Sequence, residues 1–271
     1  MQNLFRPYVA LPENHASWVF LLSPLAIGFF AGKEFTPACM AVLFGAVAVF
    51  LFQQPVTVAV KVYTGRRSRA ELPAALLWIA LYGLIGLFTL AELFQLGFGW
   101  MLSLAAPGLV LFVWQMSLVG RRAERARVGI EILATGILAL AAPAAYWAAR
   151  SGYDLAGWWL WGLTWLQSAA SIVYIEMRIG QREWTPTRSL FRRFKAGFKA
   201  VAFVSLNLAV SLALGAFGLA PGLIFLPYLL QWIETLWGAA NPDAGARPLA
   251  IGVRQFVVNV FFTLLFILVW R

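Results

Sequence analysis

The chain has 271 residues, of which 62% are hydrophobic and only 12% are charged. A soluble domain of this size has too little polar surface to cover so much apolar material, so the composition excludes a soluble protein and indicates an all-α, polytopic membrane protein. The formal net charge of +10 is typical of nucleic-acid binding, but the positions of the basic residues along the chain exclude that function.

Nine apolar runs approach the ~20 residues that a helix needs to cross a bilayer. They cover residues 16–32, 35–52, 72–91, 99–119, 128–149, 156–175, 200–219, 221–239 and 255–270. Nine spans put alternate connections on opposite sides of the membrane, and one side then holds 18 of the 21 lysines and arginines. By the positive-inside rule that side is cytoplasmic, which places the N-terminus in and the C-terminus out. The basic charge therefore reflects topology, and no nucleic-acid partner is expected.

Polar residues stand directly before the first apolar run, where Glu13, Asn14 and the chain's one histidine, His15, follow one another. Polar groups at the mouth of a membrane helix are costly to dehydrate, and such groups often contact a ligand. We expect His15 and Glu13 to be candidate catalytic groups and Asn14 to contact the ligand. The alternative is an interfacial anchor, with Pro12 as helix starter, Asn14 as cap and Trp18 among the lipid headgroups.

The first two apolar runs carry two further signals. Gly28 and Gly32 recur at a four-residue interval, which predicts close packing against another helix. The second helix is predicted to end at Gln53, Gln54 and Pro55, because proline lacks the backbone N–H that continues a helix. Residues 56–71, half apolar and half basic, are then expected to lie along the membrane surface.

A second surface segment is predicted at residues 187–199. Phe191, Phe194 and Phe198 fall on one side of a helix there, and the basic side chains fall on another. This pattern predicts an amphipathic cytoplasmic helix in contact with membrane lipids, or with an anionic ligand.

Residues 60–67 and 175–182 share a weak pattern of apolar and charged positions with a glycine two residues before an arginine. The pattern suggests a pseudo-repeat, residues 1–127 and 128–254 followed by a final helix, within a single membrane domain spanning residues 1–271. Both loops would lie over one cytoplasmic mouth. Its expected ligand-binding cations are Lys61, Arg66, Arg67, Arg178 and Arg182. Arginine clusters suit phosphate, diphosphate and lipid headgroups equally, and the sequence does not separate these ligands.

Glu234 lies within the eighth apolar run, and a carboxylate at membrane depth is a functional-site hypothesis by default. Its alternative is an ion pair with Arg247 or Arg254. Five amides are expected to form interhelical hydrogen bonds worth ~0.6 kcal/mol each. They are Gln115, Gln167, Asn207, Gln231 and Asn259. No metal site is predicted, since the chain has one histidine and one cysteine.

The opening residues 12–18, the Leu-Leu-Ser-Pro-Leu run at residues 21–25, the Gln54-Pro55 pair and residues 251–255 resemble landmarks of the YwiC-like family of bacterial membrane proteins. The resemblance implies a multi-pass protein of the bacterial cytoplasmic (inner) membrane. In this copy, Asn14 separates Glu13 from His15, which departs from the family's opening motif.

More distantly, nine helices with loops over the ends of helices 2 and 6 resemble the UbiA superfamily of intramembrane prenyltransferases. That resemblance implies two Asp-rich motifs that hold magnesium and an isoprenyl diphosphate. Here Gln53 and Gln54 stand at the first position, and Glu176 is the one carboxylate at the second. Magnesium normally needs carboxylate oxygens, so standard magnesium-dependent prenyl transfer is not expected and the cofactor is left unknown.

Together these features predict a UbiA-like bundle whose cytoplasm-facing polar cavity binds a lipid-linked, isoprenoid or anionic ligand. Gln53, Gln54, Glu176 and Glu234 are expected to line it with the loop cations. Whether the protein is a transferase without the Asp-rich motifs stays open at this point. The alternatives are a small-anion transporter and a non-catalytic membrane subunit or assembly factor.

Overall fold

The computed structural model describes residues 7–12, 17–121, 128–184, 189–242 and 244–270, which form twelve α-helices and two short 3-10 helices and no strand. In chain order the α-helices are α1 (Pro7–Ala10), α2 (Ser17–Gly32), α3 (Pro37–Tyr63), α4 (Leu72–Gln95), α5 (Ala105–Gly120), α6 (Val128–Leu138), α7 (Ala141–Ala149), α8 (Ala156–Gln181), α9 (Leu190–Ala196), α10 (Phe198–Ala216), α11 (Phe225–Ala240) and α12 (Pro248–Trp270). The 3-10 helices Arg69–Glu71 and Gly99–Leu104 lead into α4 and α5.

Six helical segments in the described ranges are long and apolar enough to cross a membrane. They are Pro37–Tyr63, Arg69–Gln95, Gly99–Gly120, Val128–Ala149, Phe198–Ala216 and Pro248–Trp270. The other three predicted runs correspond to α2 and α11, with 16 residues each, and to α8, whose 26 residues include many polar side chains. The chain is thus a multi-pass helical membrane protein, while nine spans, the orientation and the UbiA-like arrangement stay predictions.

The predicted end of the second helix at Pro55 is wrong, because α3 continues through Pro55 to Tyr63. Its last turns are held by packing: Val58, Ala59 and Val62 form a buried cluster with residues of α1 and α4. Tertiary contacts therefore outweigh the one backbone hydrogen bond that the proline removes. The expected surface segment is reduced to the short connection between Tyr63 and α4.

The fifth apolar run is broken into α6 and α7 where Pro143 enters it. Pro143 has no N–H to bond the carbonyl of Ala139, and the backbone N–H of Ala142 donates to that carbonyl instead, at 2.9 Å. The turn shifts α7 onto α2, and every residue of α7 except Ala144 is buried.

The glycine stripe of α2 packs against α7, as the sequence predicts. A Cβ atom on Gly28 would lie 2.7 Å from the Cβ of Ala145, and one on Gly32 would overlap Ala149. Substitution by a residue with a side chain would therefore push the two helices apart. This interface between α2 and α7 is part of the main apolar core, which also contains residues of α3, α8, α11 and α12.

The basic loops lie at one end of the bundle, which we call the basic end. Arg66, after α3, donates to the carbonyl of Val119 near the end of α5. The N–H of Gly245, before α12, donates to the carbonyl of Arg182 after α8, at 3.1 Å. At the opposite end, the hydroxyl of Thr36 donates to the carbonyl of Ala148, at 2.8 Å.

The surface segment predicted at residues 187–199 contains α9, which begins at Leu190, while Phe198 already belongs to α10. Phe191 and Phe198 are exposed, as are Lys195 and Lys199. Both apolar and basic groups of this segment are thus available to a membrane surface.

Candidate functional site

The predicted opening motif cannot be placed in the site, because Glu13, Asn14 and His15 lie outside the described residues. The residues on either side are described. Tyr82 donates from its hydroxyl to the carbonyl of Ala10 at 3.1 Å, which fixes α1 on α4, and Trp18 makes an edge contact with Phe50. The proposed roles of His15 and Glu13 stay predictions.

The predicted site residues of α3 make their hydrogen bonds on the α1–α4–α5 side of the molecule. Gln53 is exposed and donates to Gln115 of α5 at 2.9 Å, and Gln54 donates to the carbonyl of Tyr8 at 3.0 Å. Arg67 pairs with Glu71 at 3.1 Å and lies over the ring of Tyr8. Lys61 is in the last turn of α3. These contacts tie the end of α3 to its neighbours.

Three arginines in the last turn of α8 and in the segment that follows it hold the end of α11 and the connection before α12. Arg178 is only 2% exposed, and it donates to the carbonyls of Gly238 and Asn241 at 3.0 and 2.8 Å. Arg182 donates to the carbonyl of Ala246 at 2.7 Å, and Arg193 to that of Ala240 at 2.9 Å. The last carbonyls of a helix lack partners within it and carry partial negative charge, so cations stabilise them.

The structure therefore separates the predicted cations into two groups. The described contacts of the first basic loop go to the ring of Tyr8 in α1, to the 3-10 helix before α4 and to the end of α5. Those of the second go to the end of α11 and to the connection before α12. Glu176 is exposed on α8, whereas Arg178 is buried two residues later, so these two predicted neighbours occupy different faces of the helix. Of the predicted arginines, Arg66, Arg178 and Arg182 donate to backbone carbonyls and so hold backbone in place.

One predicted residue, Glu234, belongs to a different kind of arrangement. Its carboxylate accepts two hydrogen bonds from the guanidinium of Arg254 at 2.6 and 2.9 Å, and a third from the hydroxyl of Tyr174 at 2.5 Å. Arg254 also stacks on Trp237, with its guanidinium carbon 4.0 Å from the ring centre. We call these four residues the charged mouth. They join α8, α11 and α12 near the basic end.

Two members of the charged mouth are open to solvent or ligand, Arg254 and Trp237, and Trp237 is 46% exposed. The side chain of Arg254 is 40% exposed, whereas that of Glu234 is 13% exposed. Gly238 of α11 lets α8 pack closely against α11, since a Cβ at this position would lie 3.0 Å from the ring of Tyr174. The arrangement therefore presents an oriented guanidinium whose carboxylate partner is mostly buried.

Below the charged mouth, polar side chains of the same three helices form one hydrogen-bonded cluster. We call it the polar seam, and it consists of Gln167, Ser171, Gln231, Thr235, Gln255 and Asn259. Gln231 is its centre: its carbonyl oxygen accepts from Gln167 at 3.0 Å and from Gln255 at 2.9 Å. Gln167 and Ser171 both donate to Asn259, at 3.1 and 3.0 Å. All six residues are at most 5% exposed.

Helical spacing explains how the sequence builds the seam. Gln255 and Asn259 are four residues apart on α12, as are Gln167 and Ser171 on α8 and Gln231 and Thr235 on α11, so each pair lies on one face. From Arg178 to Gln167, α8 rises ~16 Å at ~1.5 Å per residue, about half of a ~30 Å bilayer core. The seam thus leads from the basic end to the middle of the bundle.

Two acceptors in the seam lack partners. Both amide hydrogens of Gln167 are donated, to Gln231 and Asn259, and both of Gln255 are donated, to Ser171 and Gln231. The carbonyl oxygens of Gln167 and Gln255 are nevertheless buried without a hydrogen-bond donor in the described part of the chain. Buried polar atoms are normally satisfied, so these two oxygens are a notable chemical feature of the molecule.

Sequence reasoning missed much of this site. The sequence indicates Arg254 only as a partner of Glu234, and it does not mark Gln255, Ser171 or Tyr174 as site residues. The signal was present in the spacing, because polar residues recur every three or four positions in the second half of α8, in α11 and at the start of α12. Reading the three stripes together would have predicted a polar helix interface.

Two other observations bear on ligand chemistry. Within the described residues, no three histidine, cysteine, aspartate or glutamate side chains come close enough together to hold a metal ion. A pocket of about 330 Å³ lies at the opposite end of the bundle from the basic loops, between the starts of α3 and the Gly99–Leu104 helix. Thr36, Phe98 and Trp100 line it, and it does not include residues of the seam.

Comparison with known proteins gives a match to one family. A family model described as YwiC-like protein matches residues 11–146, which is half of the chain. The matched part ends within α7, so α8, α11 and α12 lie beyond it. No curated protein and no solved structure matches the chain.

Proposed function

Because the chain belongs to the YwiC-like family and is a helical integral membrane protein, we propose that it binds an anionic, lipid-linked ligand at the charged mouth. The membrane is then the bacterial cytoplasmic membrane, and the basic end faces the cytoplasm. The observation that carries this proposal is the partly exposed guanidinium of Arg254, held in place at the head of a polar seam between three helices.

The surroundings of Arg254 favour a ligand with both a charged head and an apolar chain. Ile233 of α11 and Val253, Phe256 and Val257 of α12 are all about half exposed, and they flank the charged mouth in sequence. A guanidinium offers forked hydrogen bonds to phosphate or diphosphate. The head group would bind Arg254, while its chain would lie against these apolar side chains within the bilayer.

Glu234 would compete with the ligand for the guanidinium of Arg254. It occupies the same hydrogen-bonding edge of Arg254 that a phosphate oxygen would use. Ligand binding therefore exchanges a carboxylate for a phosphate at the guanidinium, and Tyr174 continues to donate to the released Glu234. An anion with more charge than a carboxylate, such as a diphosphate, is favoured in this exchange.

The seam favours this binding role over transport of a small anion. An anion moving past the mouth would meet the unpartnered carbonyl oxygens of Gln167 and Gln255, whose partial negative charge repels it. Prenyl transfer fits the same site as a further step, in which the carbon–oxygen bond of an isoprenyl diphosphate breaks. The diphosphate would leave with the bonding electrons, stabilised by Arg254, and an acceptor would take the prenyl group.

The test is equilibrium binding to the purified protein in phosphatidylcholine nanodiscs, with a fifteen-carbon isoprenyl diphosphate, its alcohol and inorganic diphosphate as probes. We expect saturable binding of the isoprenyl diphosphate, weaker binding of both fragments, and persistence of binding in a metal chelator. Arg254→Ala should weaken binding by about tenfold to a hundredfold, the equivalent of ~1.5–3 kcal/mol for a charged hydrogen bond.

The matched control is Arg247→Ala, which removes an exposed positive charge from the same end of the molecule. It should change affinity by no more than about twofold, because surface charges are screened. Equal losses of affinity in the two variants would mean that binding depends only on the overall positive charge, and the proposal would then be wrong. No saturable binding to the wild type would favour a partner-binding subunit.

A further inference from the structure

We infer that the polar seam is a second binding site, which takes a hydrogen-bond-donating O–H group. The site is centred on the carbonyl oxygens of Gln167 and Gln255. It is distinct from the charged mouth in chemistry, since it offers acceptors where the mouth offers a cation. It does not rest on the proposed function, because the observations behind it are the burial and the hydrogen bonding of the seam itself.

The direction of the amides determines what the site can accept. Gln167 and Gln255 both point their NH₂ groups at Gln231, at 3.0 and 2.9 Å, and use their remaining N–H bonds on Asn259 and Ser171. Rotating the amide of Gln167 alone would turn its oxygen toward the carbonyl oxygens of Gln231 and Asn259, which cannot donate, and rotating that of Gln255 would lose its hydrogen bond to Gln231. The network therefore fixes two carbonyl oxygens as acceptors for a group that carries its own hydrogen.

Burial makes these acceptors significant. Gln167 is 4% exposed and Gln255 is 1% exposed, so bulk water does not solvate them at the surface. An acceptor at membrane depth without a donor costs free energy, and helix bundles in membranes place such polar groups toward the protein interior or a hydrated path. A bound hydroxyl would donate the hydrogen that these two oxygens lack.

The route to this site runs from the basic end. Arg254 adjoins Gln255 in the chain, and Tyr174 is three residues from Ser171, so the mouth lies about one turn above the seam. A polar molecule that passes Arg254 therefore encounters polar side chains. Two sources supply the required O–H chemistry: water, and a hydroxyl group on a membrane lipid. Both would enter between α8, α11 and α12.

Thiol labelling in phosphatidylcholine nanodiscs tests the inference without any anionic ligand. Ser171→Cys places a thiol in the seam with minimal change of size, and Thr235→Cys is a second probe should the first fail to fold. The probe reagent is a small, water-soluble methanethiosulfonate, which reacts with thiolates in the presence of water. We expect the thiol of the Ser171→Cys variant to be labelled at least tenfold faster than Cys39, which is fully buried in the apolar core.

Ala170→Cys is the matched control, because Ala170 is the neighbouring residue on α8, is fully buried and belongs to no polar cluster. Its thiol should react as slowly as Cys39. A combined Gln167→Leu and Gln255→Leu change removes both acceptors, and it should slow the Ser171→Cys thiol to that same rate. Labelling of the seam thiol that equals that of the control both before and after lipid extraction, or labelling unaffected by loss of the acceptors, would overturn the inference.

The same experiment distinguishes the two sources. Fast labelling in synthetic phosphatidylcholine identifies the donor as water. If the Ser171→Cys thiol is labelled fast only after bound lipid has been removed by organic extraction, and mass spectrometry finds a hydroxylated lipid in the extract, the donor is a lipid hydroxyl. The anionic ligand can fail to bind Arg254 in either case, so this inference and the proposed function stand or fall separately.

Discussion

The α2–α7 interface and the α8–α11–α12 interface hold helices together in opposite ways. The first packs Gly28 and Gly32 of α2 against alanines of α7, and these glycines let the two backbones approach closely. The second contains six buried polar side chains in one hydrogen-bonded network. Close packing is sufficient to join helices in a membrane. The polar interface therefore requires a further explanation, and ligand binding provides one.

The largest expected effect on the free energy of unfolding comes from a substitution at the α2–α7 interface. Gly28→Leu should destabilise the protein by about 3 kcal/mol, because its Cβ would lie 2.7 Å from Ala145 and would overlap the carbonyl oxygen of Ala142. The measurement is reversible unfolding in mixed detergent micelles. Gly86→Leu is the control: Gly86 lies inside α4, and its added Cβ would have no atom of the described residues within 4 Å. Similar losses for the two variants would contradict the described packing.

Within the polar seam, two glutamines should differ. Gln231→Leu should cost about 1–2 kcal/mol in the same assay, because its oxygen accepts from both Gln167 and Gln255. Gln255→Leu should cost less than about 1 kcal/mol, because it also removes a buried oxygen that lacks a donor. A greater loss for Gln255 than for Gln231 would show that the seam is organised differently.

A smaller effect is expected from the ion pair of the charged mouth. A double-mutant cycle with Glu234→Gln and Arg254→Met should give a coupling free energy of about 1 kcal/mol. The value is modest because the Arg254 side chain is 40% exposed and solvent screens the attraction. Unfolding of the two single variants and the double variant supplies the cycle. Strict additivity would mean that the pair does not hold α11 and α12 together.

The sequence predicted the features that depend on local pattern. The helical membrane class, the apolar runs and the glycine stripe follow from hydropathy and spacing within single segments, whereas the family was expected from the resemblance of short motifs. Long-range partners could not be predicted in this way. Pro55 was expected to end α3, but packing of Val58 and Val62 against α1 and α4 carries the helix onward.

The candidate site could likewise be predicted only where it depends on the pattern within one segment. Glu234 was singled out because it is a carboxylate in an apolar run, and Arg254 was named as one of two partners for it. The role of Arg178 at the end of α11 depends on which carbonyls come near it, and no spacing rule along one helix supplies that information. The seam joins residues up to 92 positions apart, from Gln167 to Asn259. Three helices must be assembled before its polar stripes become one network.

The most direct test of the central claim is the effect of Glu234→Gln on isoprenyl diphosphate binding in nanodiscs. If Glu234 competes with the ligand for Arg254, neutralising it should tighten binding by severalfold while Arg254→Ala weakens it. Gln keeps the size of the side chain and an acceptor for Tyr174, so the fold should be retained, and the unfolding assay checks this. Unchanged or weaker binding in a folded Glu234→Gln protein would contradict the exchange of carboxylate for phosphate at Arg254.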